Sequence, residues 1–76
     1  MMTKMEKYRD RIAEMLDLYW LSVVECNRQC PNSVALEVSK GRYEGATNLV
    51  TQMGFDWKRD DNGKHKVFGT PIDYRK

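Results

Sequence analysis

Met15-Leu16-Asp17-Leu18-Tyr19-Trp20-Leu21-Ser22-Val23-Val24 places eight apolar side chains in ten residues. That is more than one face of a helix can hold. Upstream, Met5, Tyr8 and Ile12 recur at spacings of three and four, and Cys26 continues the row downstream. Such spacing stacks side chains on one face of an α-helix, so the sequence predicts a helix over 3–27. Thr3 and Glu6 form a capping box that satisfies its first backbone donors. Lys4, Lys7, Asp10, Arg11, Glu14 and Asp17 mark the other side as solvated. Leu18 and Leu21 fall on that wet side, and Trp20 and Val24 fall on its flank. A helix apolar on most sides has to be covered on most sides.

Little chain is present to do the covering. A helix of ~25 residues is roughly 37 Å long, whereas a compact domain of this size has a radius of gyration of about 11 Å. Leu18, Trp20, Leu21 and Val24 are therefore the candidate partner interface, with a second copy of the chain or another protein as the cover.

Past that helix, Asn27-Arg28-Gln29-Cys30-Pro31-Asn32 is a polar break, because the residue before a proline is pushed out of helical geometry. A second helix is predicted over 33–53, capped by Ser33 or Asn32, with Ala35, Val38, Ala46, Leu49, Val50 and Met53 as its apolar stripe. Gly54 suits its end. Val34, Leu36 and Val38 also alternate, which leaves a short strand before Ser39 as the rival.

Residues 55–68 read as a β-hairpin around Asn62-Gly63. A two-residue loop sets Arg59 against Lys66, a destabilising pair of like charges. A three-residue loop, Asp61-Asn62-Gly63, sets Asp60 against Lys64 and Trp57 against Val67, and is preferred. Residues 69–76 form a tail, with Ile72 and Tyr74 able to pin it. The fold class is α+β in a single domain over 1–76. A long N-terminal helix runs antiparallel to a second, with the hairpin packed on both. Phe55, Trp57 and Val67 are expected to face Ile12, Leu16, Tyr19, Leu49 and Met53.

Composition bounds the function. The chain has 76 residues, 41% hydrophobic and 32% charged, with a net charge of +2, which is globular rather than disordered. Residues 1–38 carry five Lys/Arg against six Asp/Glu, and residues 39–76 carry eight against five. The longest uncharged run, Gly45 to Phe55, has eleven residues, short of the ~20 that span a membrane. No membrane partner is expected. The amino end lacks an apolar signal core, so a cytoplasmic location is expected, with Cys26 and Cys30 as reduced thiols.

Those two cysteines and His65, the lone histidine, fall short of a zinc site's two close ligand pairs. No metal, cofactor or catalytic residue is assigned, and the protein is not expected to be an enzyme. Asp56, Asp60 and Asp61 read as surface charge, and His65 as an exposed strand residue. Lys58, Arg59, Lys64 and Lys66 make the hairpin basic beside Trp57 and Phe68, a possible contact for phosphates and unpaired bases. Thr47, Asn48, Thr51 and Gln52 on the second helix are chemically able to read base edges.

The sequence therefore favours a small non-enzymatic interaction protein, a homodimeric adaptor or inhibitor acting by protein–protein contact. Small accessory proteins encoded by phages and mobile elements are of this kind, a likeness that no particular residue carries. Nucleic-acid binding through the basic hairpin is the alternative.

Overall fold

The structure, a computed structural model, describes residues 3–69. Helix α1 spans Lys4–Gln29, α2 spans Val34–Gln52, and strands β1 (Phe55–Arg59) and β2 (His65–Gly69) close the chain. This is the expected α+β arrangement, with the hairpin packed on both helices. Ile72, Tyr74 and the rest of the tail beyond Gly69 lie outside the described residues.

Each boundary has a local cause. The Thr3 hydroxyl accepts from the Glu6 amide at 3.1 Å and donates to the Glu6 carboxylate at 3.3 Å, which leaves the first turn of α1 well capped. The helix runs on through the polar residues Arg28 and Gln29 and stops at Cys30, before Pro31. Asn32 takes the left-handed conformation at φ 63°, which asparagine tolerates better than most residues. Ser33 then caps α2 through the Leu36 amide at 3.1 Å, so Val34 to Val38 is helix and not strand. Gly54, at φ 99°, turns the chain out of α2 as a C-terminal glycine does.

The hairpin adopts the three-residue loop. Trp57 faces Val67 and Arg59 faces His65, with the Asp60 amide bonded to the Lys64 carbonyl at 2.9 Å. Asp60 Oδ1 accepts from the amides of Asn62 and Lys64, both at 2.9 Å. This register does not remove like-charge pairing but moves it: Lys58 now lies opposite Lys66. Side chains alternate along a strand, so the two lysines share the outer face with Asp56, where water screens them. Phe55, Trp57 and Arg59 share the inner one.

Two clusters fill the interior. Ile12, Leu16, Val50, Phe55 and Val67 form the first, flanked by Met5, Met15, Ala46, Met53 and Trp57. Val23, Leu36 and Tyr43 form the second, flanked by Tyr19, Trp20 and Cys26. The expected packing of Phe55, Trp57 and Val67 on Ile12, Leu16 and Met53 is present. Tyr19 belongs instead to the second cluster.

Of the expected stripe of α2, Val50 is buried and Ala46 and Met53 pack on the first cluster, but the buried line is rotated away from Ala35, Val38 and Leu49. That line is Leu36, Tyr43, Thr47 and Val50, while Leu49 stays 55% exposed, Val38 48% exposed, and Ala35 exposed. Tyr43 and Thr47 can sit on this buried line because their hydroxyls are bonded, Tyr43 to His65 and Arg59 of the hairpin and Thr47 to a carbonyl of its own helix. Thr47 is 7% exposed and its Oγ1 donates to the Glu44 carbonyl at 3.0 Å, so it is not presented for reading base edges as the sequence suggested.

The radius of gyration is 14.1 Å, with extents of 45 × 28 × 16 Å. The body is more drawn out than a compact sphere, because the 26 residues of α1 set its long axis at roughly 39 Å. Gly41 and Gly45 stand mid-helix with nothing within 4 Å of an added Cβ. Gly41→Ala and Gly45→Ala are each expected to raise stability by about 0.5–1 kcal/mol, measured by chemical denaturation.

Candidate interaction surface

The buried line of α1 is Ile12, Leu16 and Val23. At 3.6 residues per turn, Leu21 points almost directly away from it. Leu18 and Val24 flank Leu21 three residues to either side. These three are exposed by 69%, 53% and 42% for Leu18, Leu21 and Val24. Isolated surface leucines are ordinary, but a contiguous apolar group on one helix face marks an interaction site. The main packing of α2 and the strands is on the buried line of α1, and α2 and the hairpin turn reach only the two edges of this outward face.

Two hollows border the face. One of ≈ 360 Å³ is lined by Met15, Leu18, Tyr19, Ser22, Ser39 and Arg42. The other, of ≈ 260 Å³, lies between Asp17, Trp20, Leu21 and Val24 and the turn Asn62-Gly63-Lys64. The three aliphatic residues thus form a ridge with a shallow recess on each flank.

Trp20 departs from the other three interface candidates. It is part-buried, with its ring 5.1 Å from that of Tyr43. The turn closes on it so tightly that a Cβ on Gly63 would sit 2.7 Å from Trp20 Cδ1. Only glycine fits there, both for that clearance and for its φ of 83°. Arg59 stacks over the indole with its guanidinium carbon 3.8 Å from the ring centroid. Trp20 is therefore occupied chiefly inside the molecule, as the post on which the hairpin turn rests.

The basic residues divide in the same way. Lys58, Arg59, Lys64 and Lys66 are all exposed, and they divide by their contacts. Arg59, on the inner face of β1, donates to the Tyr43 hydroxyl at 3.2 Å and stacks on Trp20. It is tied into the fold, unlike the lysines with which the sequence grouped it.

His65 corrects another expectation. It is 7% exposed and not a surface residue. Asp17 Oδ1 accepts from the His65 amide at 2.6 Å and lies 2.8 Å from His65 Nδ1, while Nε2 lies 2.7 Å from the Tyr43 hydroxyl. A carboxylate only accepts, so Nδ1 carries the proton. In the neutral ring Nε2 then accepts from Tyr43. Asp17 thus leaves the solvated face to which its position assigned it. The order of groups resembles a carboxylate–histidine–hydroxyl relay, but Arg59 donates to the hydroxyl oxygen and the histidine side chain is fully covered. The arrangement straps α1, α2 and the hairpin together.

Sequence spacing could not reveal this strap, since Asp17 and His65 are 48 residues apart. The one available signal was an acidic residue interrupting the most apolar stretch of α1.

Cys26 and Cys30 are free thiols, with Cys26 Sγ 3.4 Å from Ser39 Oγ. Among the described residues no group of three or more His, Cys, Asp or Glu is arranged to hold a metal ion, and no helix is long and apolar enough to cross a membrane. No protein-family model, curated protein or solved structure matches this chain.

Proposed function

We propose that this protein is a small non-enzymatic interaction protein, an adaptor or inhibitor that acts by protein–protein contact through the outward face of α1. The observation that carries the proposal is the exposure of Leu18, Leu21 and Val24 together, opposite the buried line of the same helix. Burying such side chains releases about 25 cal/mol per Å² of apolar area, a gain the isolated chain leaves unused. Leu21→Glu tests it. The substitution is at the surface, so the fold should keep its stability within about 0.5 kcal/mol, while association should be lost because a carboxylate in an apolar seam is costly.

One observation favours nucleic-acid binding as the second reading. Lys58 and Lys66 oppose each other across the outer face of the hairpin, an arrangement that repels in the free protein and would suit a phosphate backbone. Salt separates the two. Replacing Lys58, Lys64 and Lys66 with glutamine should leave the protein's contacts intact, and apolar association should hold or tighten at high salt. A single-stranded oligonucleotide bound by the native chain and not by the triple variant, with affinity falling steeply as salt rises, would put the hairpin in place of α1.

A further inference from the structure

We infer that the strip of α1 from Lys4 to Ser22, with Arg42 of α2 beside it, receives an acidic amphipathic helix of another protein. This strip is separate from the ridge of Leu18, Leu21 and Val24, with which it shares only Leu18.

Spacing lays the strip out. Residues 4, 8, 11, 15, 18 and 22 alternate four and three apart, which keeps them on one side of a helix. Two hollows follow one another along it. The first, of ≈ 260 Å³, is walled by Lys4, Lys7, Tyr8 and Arg11. The second is the recess of ≈ 360 Å³ where Met15, Leu18 and Tyr19 meet Ser39 and Arg42 of α2. Together they run for about 27 Å along α1. Tyr8 is 45% exposed, and its ring is propped 5.9 Å from that of Phe55.

Charge identifies the occupant. Lys4, Lys7, Arg11 and Arg42 line the two hollows, and no carboxylate does. All four are exposed, and none of their side chains has an ion pair or hydrogen bond among the described residues. Lys4, Lys7 and Arg11 stand three and four apart, so they repel one another in the free helix. The carboxylates of the two helices are engaged elsewhere. Glu6 and Asp10 line a different hollow with Arg9 and Lys66, and Glu44 lies in another with Lys40 and Arg59. Asp17 is bonded to His65 and Glu25 to Arg28. Glu37, five residues before Arg42, is turned about 140° from it around α2. Glu14 alone borders the strip, three residues past Arg11. Four cations therefore face one carboxylate.

The order of groups describes what fits. Three cations stand at one end, Met15, Leu18 and Tyr19 in the middle, and Arg42 beside Ser22 and Ser39 at the other end. A straight recess with an apolar middle suits an amphipathic helix, and carboxylates near both of its ends would complement the cations. A phosphate backbone would leave the apolar middle unused, and a flat anionic membrane would not enter a recess between two helices. The same strip of a second copy brings four cations of its own. The chain's tail, with Asp73 against Arg75 and Lys76, has the wrong sign.

A synthetic helix of about 18 residues, with glutamates in its outer turns and leucines in its middle, is the probe. It should bind the native chain, more weakly as salt rises, and shift the amide resonances of Tyr8, Met15, Tyr19 and Ser39 but not those of Lys58 and Lys66. Lys4→Gln, Lys7→Gln and Arg11→Gln together should weaken binding about tenfold, and Arg42→Gln about threefold. Circular dichroism should be unchanged, because all four residues are exposed. No binding by the native chain, equal binding by the triple variant, or resonance changes confined to the hairpin would overturn this site and leave the ridge reading standing. An oligo-dT strand or phosphatidylserine vesicles bound more tightly than the peptide through the same four cations would overturn it in favour of nucleic acid or membrane.

Discussion

Asp17→Ala is expected to lower the stability of this fold by about 2–4 kcal/mol, because it strands two donors at once. The His65 amide and His65 Nδ1 both end on Asp17 Oδ1, at 2.6 and 2.8 Å, and the histidine side chain is 0% exposed. A buried donor without a partner costs its full desolvation, and here the loss also frees the start of β2 from α1. Asp17→Asn, which keeps an oxygen at the same place, should cost distinctly less. Urea or guanidinium unfolding of the three chains gives the comparison. If Asp17→Ala unfolds at the same denaturant concentration as the native chain, the strap does not hold the hairpin down.

The second large effect lies in α1 itself, where two leucines five residues apart do opposite work. Leu16 is 0% exposed at the centre of the first cluster, and Leu16→Ala should cost about 2–5 kcal/mol through lost burial and the cavity left behind. Leu21 is 53% exposed, and Leu21→Ala should change the stability of the single chain by no more than about 0.5 kcal/mol. Dilute samples keep the readings free of association. Equal losses at the two positions would mean that Leu21 is covered within one chain, and the open face would not exist.

Much of the architecture was legible in the sequence because it is fixed locally. Thr3 and Ser33 name their helix starts, Pro31 and Gly54 their ends, and Asn62-Gly63 the turn. The doubled apolar character of Met15 to Val24 was legible too, and the structure resolves it into a buried line and a bare one. The phase of α2 was not. Its sequence offers two apolar lines, one through Val38 and Leu49 and one through Leu36 and Val50, and the choice depends on where the hairpin lands. Tyr43 and Thr47 sit on the chosen line, and Tyr43 looks like a surface residue until its hydroxyl partners on the hairpin, His65 and Arg59, are known. The same long-range dependence hid the roles of Asp17, Arg59 and His65, whose partners are set by tertiary contact and by no local spacing. Among the surface residues, charge alone could not separate Arg59 from Lys58, since strand alternation sends one inward and the other outward only after the register is fixed.

The outward face of α1 is the centre of the account, and sedimentation equilibrium of the native chain over a wide range of concentrations tests it most directly. A mass that rises from 9.0 kDa toward twice that value with concentration, and stays at the monomer value in Leu21→Glu, is the predicted result. A native chain that rises while Leu21→Glu rises equally would contradict it, since the contact would then lie elsewhere on the molecule.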